Sequence, residues 1–160
     1  MLKHVALISG SMLVAASALA APSTTGGFSG LALAALVAEH QPGLSWRDRN
    51  AMAWLLDGRT RFHFPAGHTI IVKADKIQCR ASNVAIDQRS CDLTFGAAVR
   101  HLSGRRANEL FATMQEAGVP GDAGAGSAFE ALTSLSCTIA PNVVKQNAGG
   151  GADCAYTPGP

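Results

Sequence analysis

Aromatic side chains are scarce in this chain: 6% of the residues, with one tyrosine and two tryptophans. That shortage excludes a large aromatic core and leaves a small aliphatic one, which needs covalent help. Charge is scarce and balanced. Thirteen basic residues stand against eleven acidic ones in 160 positions, which gives no electrostatic reason to bind nucleic acid or an acidic surface. No C-x-x-C pair is present, so neither a thioredoxin-like redox motif nor a common zinc pattern is in view. G-x-S-x-G and H-E-x-x-H are missing as well. The glycine-rich "AGGGAD" at 148–153 lacks both the Walker lysine and the spaced dinucleotide fingerprint. No repeat of solenoid type occurs.

The N-terminus is informative. Lys3 precedes the uncharged apolar run "VALISGSMLVAA", and "SALA" follows with small residues at Ala18 and Ala20. This is the layout of a secretory signal peptide, with cleavage expected after Ala20. The apolar run is too short to span a bilayer comfortably, and no cysteine follows the cut to carry a lipid. Export to the periplasm or beyond is expected. Removing residues 1–20 takes away Lys3, and 13 basic residues less one leaves 12 against 11 acidic.

Cys79, Cys91, Cys137 and Cys154 all fall in the mature part. An even count in an exported chain reads as disulfides. Three pairings are possible. Cys79–Cys91 and Cys137–Cys154 are chosen because each pair flanks a plausible hairpin.

Residues 21–30, "APSTTGGFSG", read as a flexible lead-in, and 31–157 as one domain with a tail at 158–160. "LALAALVAEH" (31–40) favours helix and is apolar almost all round, so it is either buried or laid on a membrane or partner. A second helix fits Trp46–Leu56, with Ser45 as cap, Asp48 three residues on and Gly58 at its end. Ala51, Trp54 and Leu55 share its inner face, and the short "QPGLS" makes the two helices an antiparallel pair. "HTIIVKADKIQC" reads as one strand, straight or bent; "SCDLTFG" and "AAVRHLSG" read as one or two further strands pivoting at Gly96. A third helix over 104–118, capped by Ser103, has Ala107, Leu110, Phe111 and Met114 at three- and four-residue steps. Residues 127–135 fit a short helix or a strand, with helix favoured at their start. "LSCTIAP" alternates as a strand, and "CAY" pairs back on it.

Candidate chemistry is sparse. His63 and His68 bracket a Pro–Gly turn and could share copper or zinc, but a third ligand is not evident. Trp46, Arg47, Arg49, Trp54, Arg59, Arg61 and Phe62 interleave aromatic and basic types, and a solvated helix face accounts for them. Arg105 and Arg106 sit in the first turn of the third helix, where the dipole favours anions, so they could hold a carboxylate or phosphate, or pair with Asp92 or Glu109. Asp75, Asp87 and Asp92 lie near one sheet, and nothing selects a catalytic pair among them. No cofactor and no metal are expected. The loop closed by Cys79 and Cys91 carries Arg80, Asn83, Asp87 and Arg89. With Arg105 and Arg106 these are the candidate contacts to a protein partner.

"IQCRASNVAIDQRSCDLTFG", "GRRANELFATMQEAGV" and "GGGADC" together resemble small exported bacterial proteins of unassigned function, over roughly the C-terminal ninety residues. The resemblance implies a shared design and no activity. The order of a helix pair followed by a sheet is also similar to the β-lactamase-inhibitor-protein-like fold, although here another helix stands between the two cysteine hairpins. The expected architecture is α+β: helices packed on a small, mainly antiparallel sheet with two disulfide-tied hairpins. The expected function is a non-enzymatic binding or inhibitory module of the bacterial periplasm, without a stable membrane anchor and without nucleic acid. An enzyme of unrecognised type and a membrane-apposed envelope factor using residues 31–40 are the alternatives.

Overall fold

The apolar stretch within residues 31–40 becomes the centre of the fold. The computed structural model describes residues 22–57, 68–81, 89–119, 128–140 and 152–158. The expected leader and its expected cleavage point, Gly58, Arg59, Arg61, Phe62, His63, Asn83 and Asp87 lie outside the described residues. Helix α1 spans Gly27–Ala38, α2 Trp46–Leu56 and α3 Gly104–Glu116. Strands β1 (Ser23–Gly26), β2 (Ile70–Ala74), β3 (Lys76–Ala81), β4 (Arg89–Phe95), β5 (Ala98–Ser103), β6 (Ala128–Ile139) and β7 (Ala152–Pro158) form one sheet in the order β1-β7-β6-β3-β4-β5. Every pairing is antiparallel. β2 and β3 form one long strand in all but name. Both pair along β6, with a register shift at Ile77/Gln78.

The helices cover one face. Ile70, Val72, Ile77, Leu93, Leu135, Ile139 and Tyr156 point inward from the sheet and meet Leu33, Val37, Met52, Leu110 and Met114. The alternation of buried and exposed residues in β2 and β7 is what an antiparallel sheet with one wet face requires. Asp75 stands between β2 and β3. Its N–H bonds the Thr94 carbonyl at 2.8 Å, and its carboxylate accepts the Gly96 N–H at the β4–β5 turn.

Both disulfides form with the expected pairing, between directly opposed residues: Cys79 with Cys91 across β3–β4 and Cys137 with Cys154 across β6–β7. All four cysteines are buried on the helix side. The Cys91 sulfur lies 3.6 Å from the Ala107 carbonyl of α3, and the Cys154 sulfur 3.4 Å from the Gly30 carbonyl of α1. A disulfide sulfur carries no proton, so these are packing contacts between sulfur and oxygen. One bridge therefore lies under each of the two helices.

Several expectations are corrected. Residues 23–26 are not a lead-in but strand β1, whose Ser23–Gly26 pairs with Tyr156–Asp153 on the open side of β7. Helix α1 starts at Gly27 and ends at Ala38, leaving Glu39 and His40 in a turn. Residues 128–135 are strand, since β6 is held between β7 and the β2–β3 strand and that pairing overrides a helix-favouring composition. β7 runs to Pro158, into the expected tail. Ser103 occupies the cap position of α3 but its side chain makes no capping bond, whereas Ser45 accepts the Asp48 N–H as expected. In α2 the buried residues are Ala51 and Met52, and Trp54 is half-buried.

The membrane-facing reading of residues 31–40 is overturned. Leu31 and Leu33 are buried, and Leu36 packs partly buried against the same core. A helix apolar all round is buried when other elements surround it, and α1 packs on the sheet, α2 and α3. Among the described residues no helix is long and apolar enough to cross a membrane. Gly30 allows the close approach to the sheet. A Cβ there would stand 3.1 Å from the Ala152 carbonyl oxygen and 3.2 Å from that of Thr25.

Candidate functional site

Strand register gathers the arginines. Arg80 lies opposite Ser90, and Ser90 opposite Ser103. Arg89 precedes Ser90 in β4, and Gly104, with φ at +59°, turns the chain straight from β5 into α3 so that Arg105 and Arg106 follow at once. Four of the six candidate contact residues, Arg80, Arg89, Arg105 and Arg106, thus stand at one end of the sheet.

They are not equivalent. Arg80 is exposed on the outer face. Arg89 is half-buried: its guanidinium lies 4.1 Å from the ring centre of Phe111 in α3, and its Nε is buried without a hydrogen-bond partner. The ring face stabilises that cation, so Arg89 joins β4 to α3. Arg105 and Arg106 share one carboxylate: Glu109 stands 3.6 Å from Arg105 and 3.0 Å from Arg106. Arg106 also lies 3.5 Å from Glu39 at the end of α1. The two arginines therefore take acids of this chain, Glu109 among them as anticipated, while Arg105 keeps 83% of its side chain exposed.

The surroundings remain electropositive. Arg100, exposed in β5, adds a guanidinium that sequence reasoning missed. His40 senses the sum. Burial lowers its pKa below the ordinary 6.5, Arg106, Arg100 and Arg49 push the same way, and Glu39 at 4.0 Å pulls against them without prevailing. The fold thus brings Arg100 and Arg106 close to the C-terminal end of α1, a proximity with no signal in local sequence.

Two histidine–aspartate pairs stand elsewhere. His101 Nδ1 meets Asp92 Oδ1 at 2.8 Å across β4–β5 on the outer face, and His68 Nε2 meets Asp48 Oδ1 at 2.9 Å beside α2. Such a carboxylate orients an imidazole. The His101 pair is largely exposed. Of the three aspartates, Asp75 serves the β4–β5 turn and Asp92 serves His101. Among the described residues no group of three or more His, Cys, Asp or Glu side chains could hold a metal. The outer face also carries a shallow groove of about 610 Å³, floored by Thr24, Gly26, Ser136, Thr138, Asp153 and Ala155.

No family model, no curated protein and no solved structure matches the chain.

Proposed function

We propose that this chain is an exported, disulfide-stiffened binding module of the bacterial periplasm that holds an acidic protein partner at the arginine-rich end of its sheet. One observation carries the reading: the register sets Arg80 and Arg89 at the end of the sheet from which Arg105 and Arg106 emerge. Two buried disulfides suit an oxidising compartment and favour export. Cys79–Cys91, next to Arg80 in β3, also holds that end of the sheet rigid, which lowers the ordering cost of binding. Arg80, Arg105 and Arg106 are the exposed members, and Arg89, half-buried against Phe111, supports them from within.

The test is site-specific photo-cross-linking in the periplasm. A cross-linker at Ser90, between the arginines, is compared with one at Gln115, exposed on α3. A discrete cross-linked protein at Ser90, absent at Gln115 and lost in the Arg80→Glu, Arg105→Glu double variant with unchanged melting, is the expected result. Equal cross-linking at both positions, or survival of the adduct in the charge-reversed variant, refutes the reading.

A further inference from the structure

The hydrogen-bond phase of the sheet can be read from one disulfide. Cys79 and Cys91 are directly opposed with their Cα atoms 4.0 Å apart. That is the spacing of a non-hydrogen-bonded antiparallel pair. The backbone groups of Cys91 therefore point the other way, toward β5, and bond Leu102. By alternation Leu93 bonds Arg100 and Phe95 bonds Ala98. Val99, His101 and Ser103 are left with their backbone groups turned away from β4. The Ser103 carbonyl belongs to the first turn of α3. The outward N–H groups of Val99, His101 and Ser103, and the outward carbonyls of Val99 and His101, meet no further strand, because β5 is the last in the sheet among the described residues.

Bare edges are usually blunted by proline, by a bulge, by brevity or by charged side chains, of which β5 has only the last, at Arg100. β5 has six residues in unbroken register and no proline. The opposite edge, β1, has four. Where β2 turns an N–H outward at Lys73, the Gln41 side chain accepts it at 2.8 Å. Among the described residues the fold thus covers this outward N–H, and no element pairs with the outer edge of β5. Val99, 58% exposed on the outer face, adds an apolar foothold.

Charge selects the occupant. Arg100 lies within β5, and Arg105 and Arg106 follow directly after it. A second copy pairing through the same edge would bring these cations against their own counterparts, whereas an acidic segment would meet them favourably. We propose that β5 takes up an extended acidic segment of the partner as an added strand, its backbone bonded to Val99, His101 and Ser103 and its carboxylates set against Arg100 and Arg105. This rests on the binding-module reading and specifies its mode, a form of β-strand addition.

The probe is a capped peptide of alternating glutamate and valine, titrated into ¹⁵N-labelled protein. The amides of Val99, His101 and Ser103 are expected to shift together, and the effect should fade at high salt. Val99→Pro removes one outward N–H without touching a bond to β4 and should weaken binding at least tenfold; Val99→Thr, which keeps the N–H, should not. Arg100→Glu should abolish binding of the glutamate peptide and admit its lysine counterpart, a result that does not depend on how well the proline variant folds. Absence of shifts at millimolar peptide overturns the proposal. Unchanged binding in both Val99→Pro and Arg100→Glu does so too. A peptide-free dimer abolished by Val99→Pro would give the edge to a second copy and equally overturn it. Edge variants that leave the Ser90 cross-link intact sink the strand-addition mode alone. Loss of the cross-link's dependence on Arg80 and Arg105 sinks the binding-module reading itself.

Discussion

Replacing Cys79 and Cys91 together by alanine should cost about 3 kcal/mol. The bridge closes a separation of 12 residues, and the chain-entropy relation for a loop of that size gives about 2.8 kcal/mol at 25 °C. Alanine is the right replacement. Serine at position 91 would set a hydroxyl near the Ala107 carbonyl, which already lies 3.6 Å from the sulfur, and a new hydrogen bond would hide part of the loss. Urea titration followed by circular dichroism measures it. With a slope of about 1–3 kcal/mol per molar urea, the midpoint should fall by about 1–3 M. The bridge is almost wholly buried, so mild reductant should leave it intact in the folded protein; the titration is run without reductant, because the unfolded chain exposes the bridge. A loss below about 1 kcal/mol would refute the reasoning, since it would mean that the β3–β4 hairpin is already restrained in the unfolded chain.

Three further outcomes are expected. His40 has a folded-state pKa below its ordinary 6.5, so protonation disfavours folding: stability is full above that ordinary value, falls as pH drops through it, and levels off below the lowered folded value. Melting of wild type and His40→Gln between pH 7.5 and 5 should show the smaller fall in the variant. Gly104→Ala should cost about 1–2 kcal/mol through its left-handed backbone alone, since no atom lies within 4 Å of the added Cβ, while Gly30→Ala should cost about 1–3 kcal/mol by pushing α1 off the Ala152 and Thr25 carbonyls; denaturant titration separates them if Asn rescues only position 104. Asp75→Ala should cost about 1–2 kcal/mol by stripping the acceptor from the Gly96 N–H, with exchange of that amide speeding up, and Asp75→Asn should restore part of it.

Features written over short distances were readable in the sequence. Helix α3 was legible because Ala107, Leu110, Phe111 and Met114 recur at helical spacing and all are buried. The disulfides were legible because each joins two strands that follow one another in the described chain, at cysteines 12 and 17 residues apart. Strand β1 was not legible, because "STTG" has no apolar face and becomes a strand only by meeting β7, more than a hundred positions later. The start of β6 failed for the same reason: alanine, leucine and glutamate favour helix locally, and two flanking strands decide otherwise. The arginines of the candidate site were found singly. Their meeting place was not, because it depends on the register of three strands, and the stacking of Arg89 on Phe111 joins residues in different elements. Arg100 and the open edge of β5 needed the strand order itself.

Pairing of β1 with β7 sets a clock on folding. The first strand of the fold can be seated only when the last has been made. Helix α1, the hub of the core, packs on β7 as well. At synthesis rates of about 5–20 residues per second, the interval between the two strands lasts on the order of ten seconds. During that time the most apolar helix lacks its cover, and Cys137, once made, waits a further 17 residues for its partner. Such a delay suits export, which needs a chain still unfolded enough to thread through a membrane.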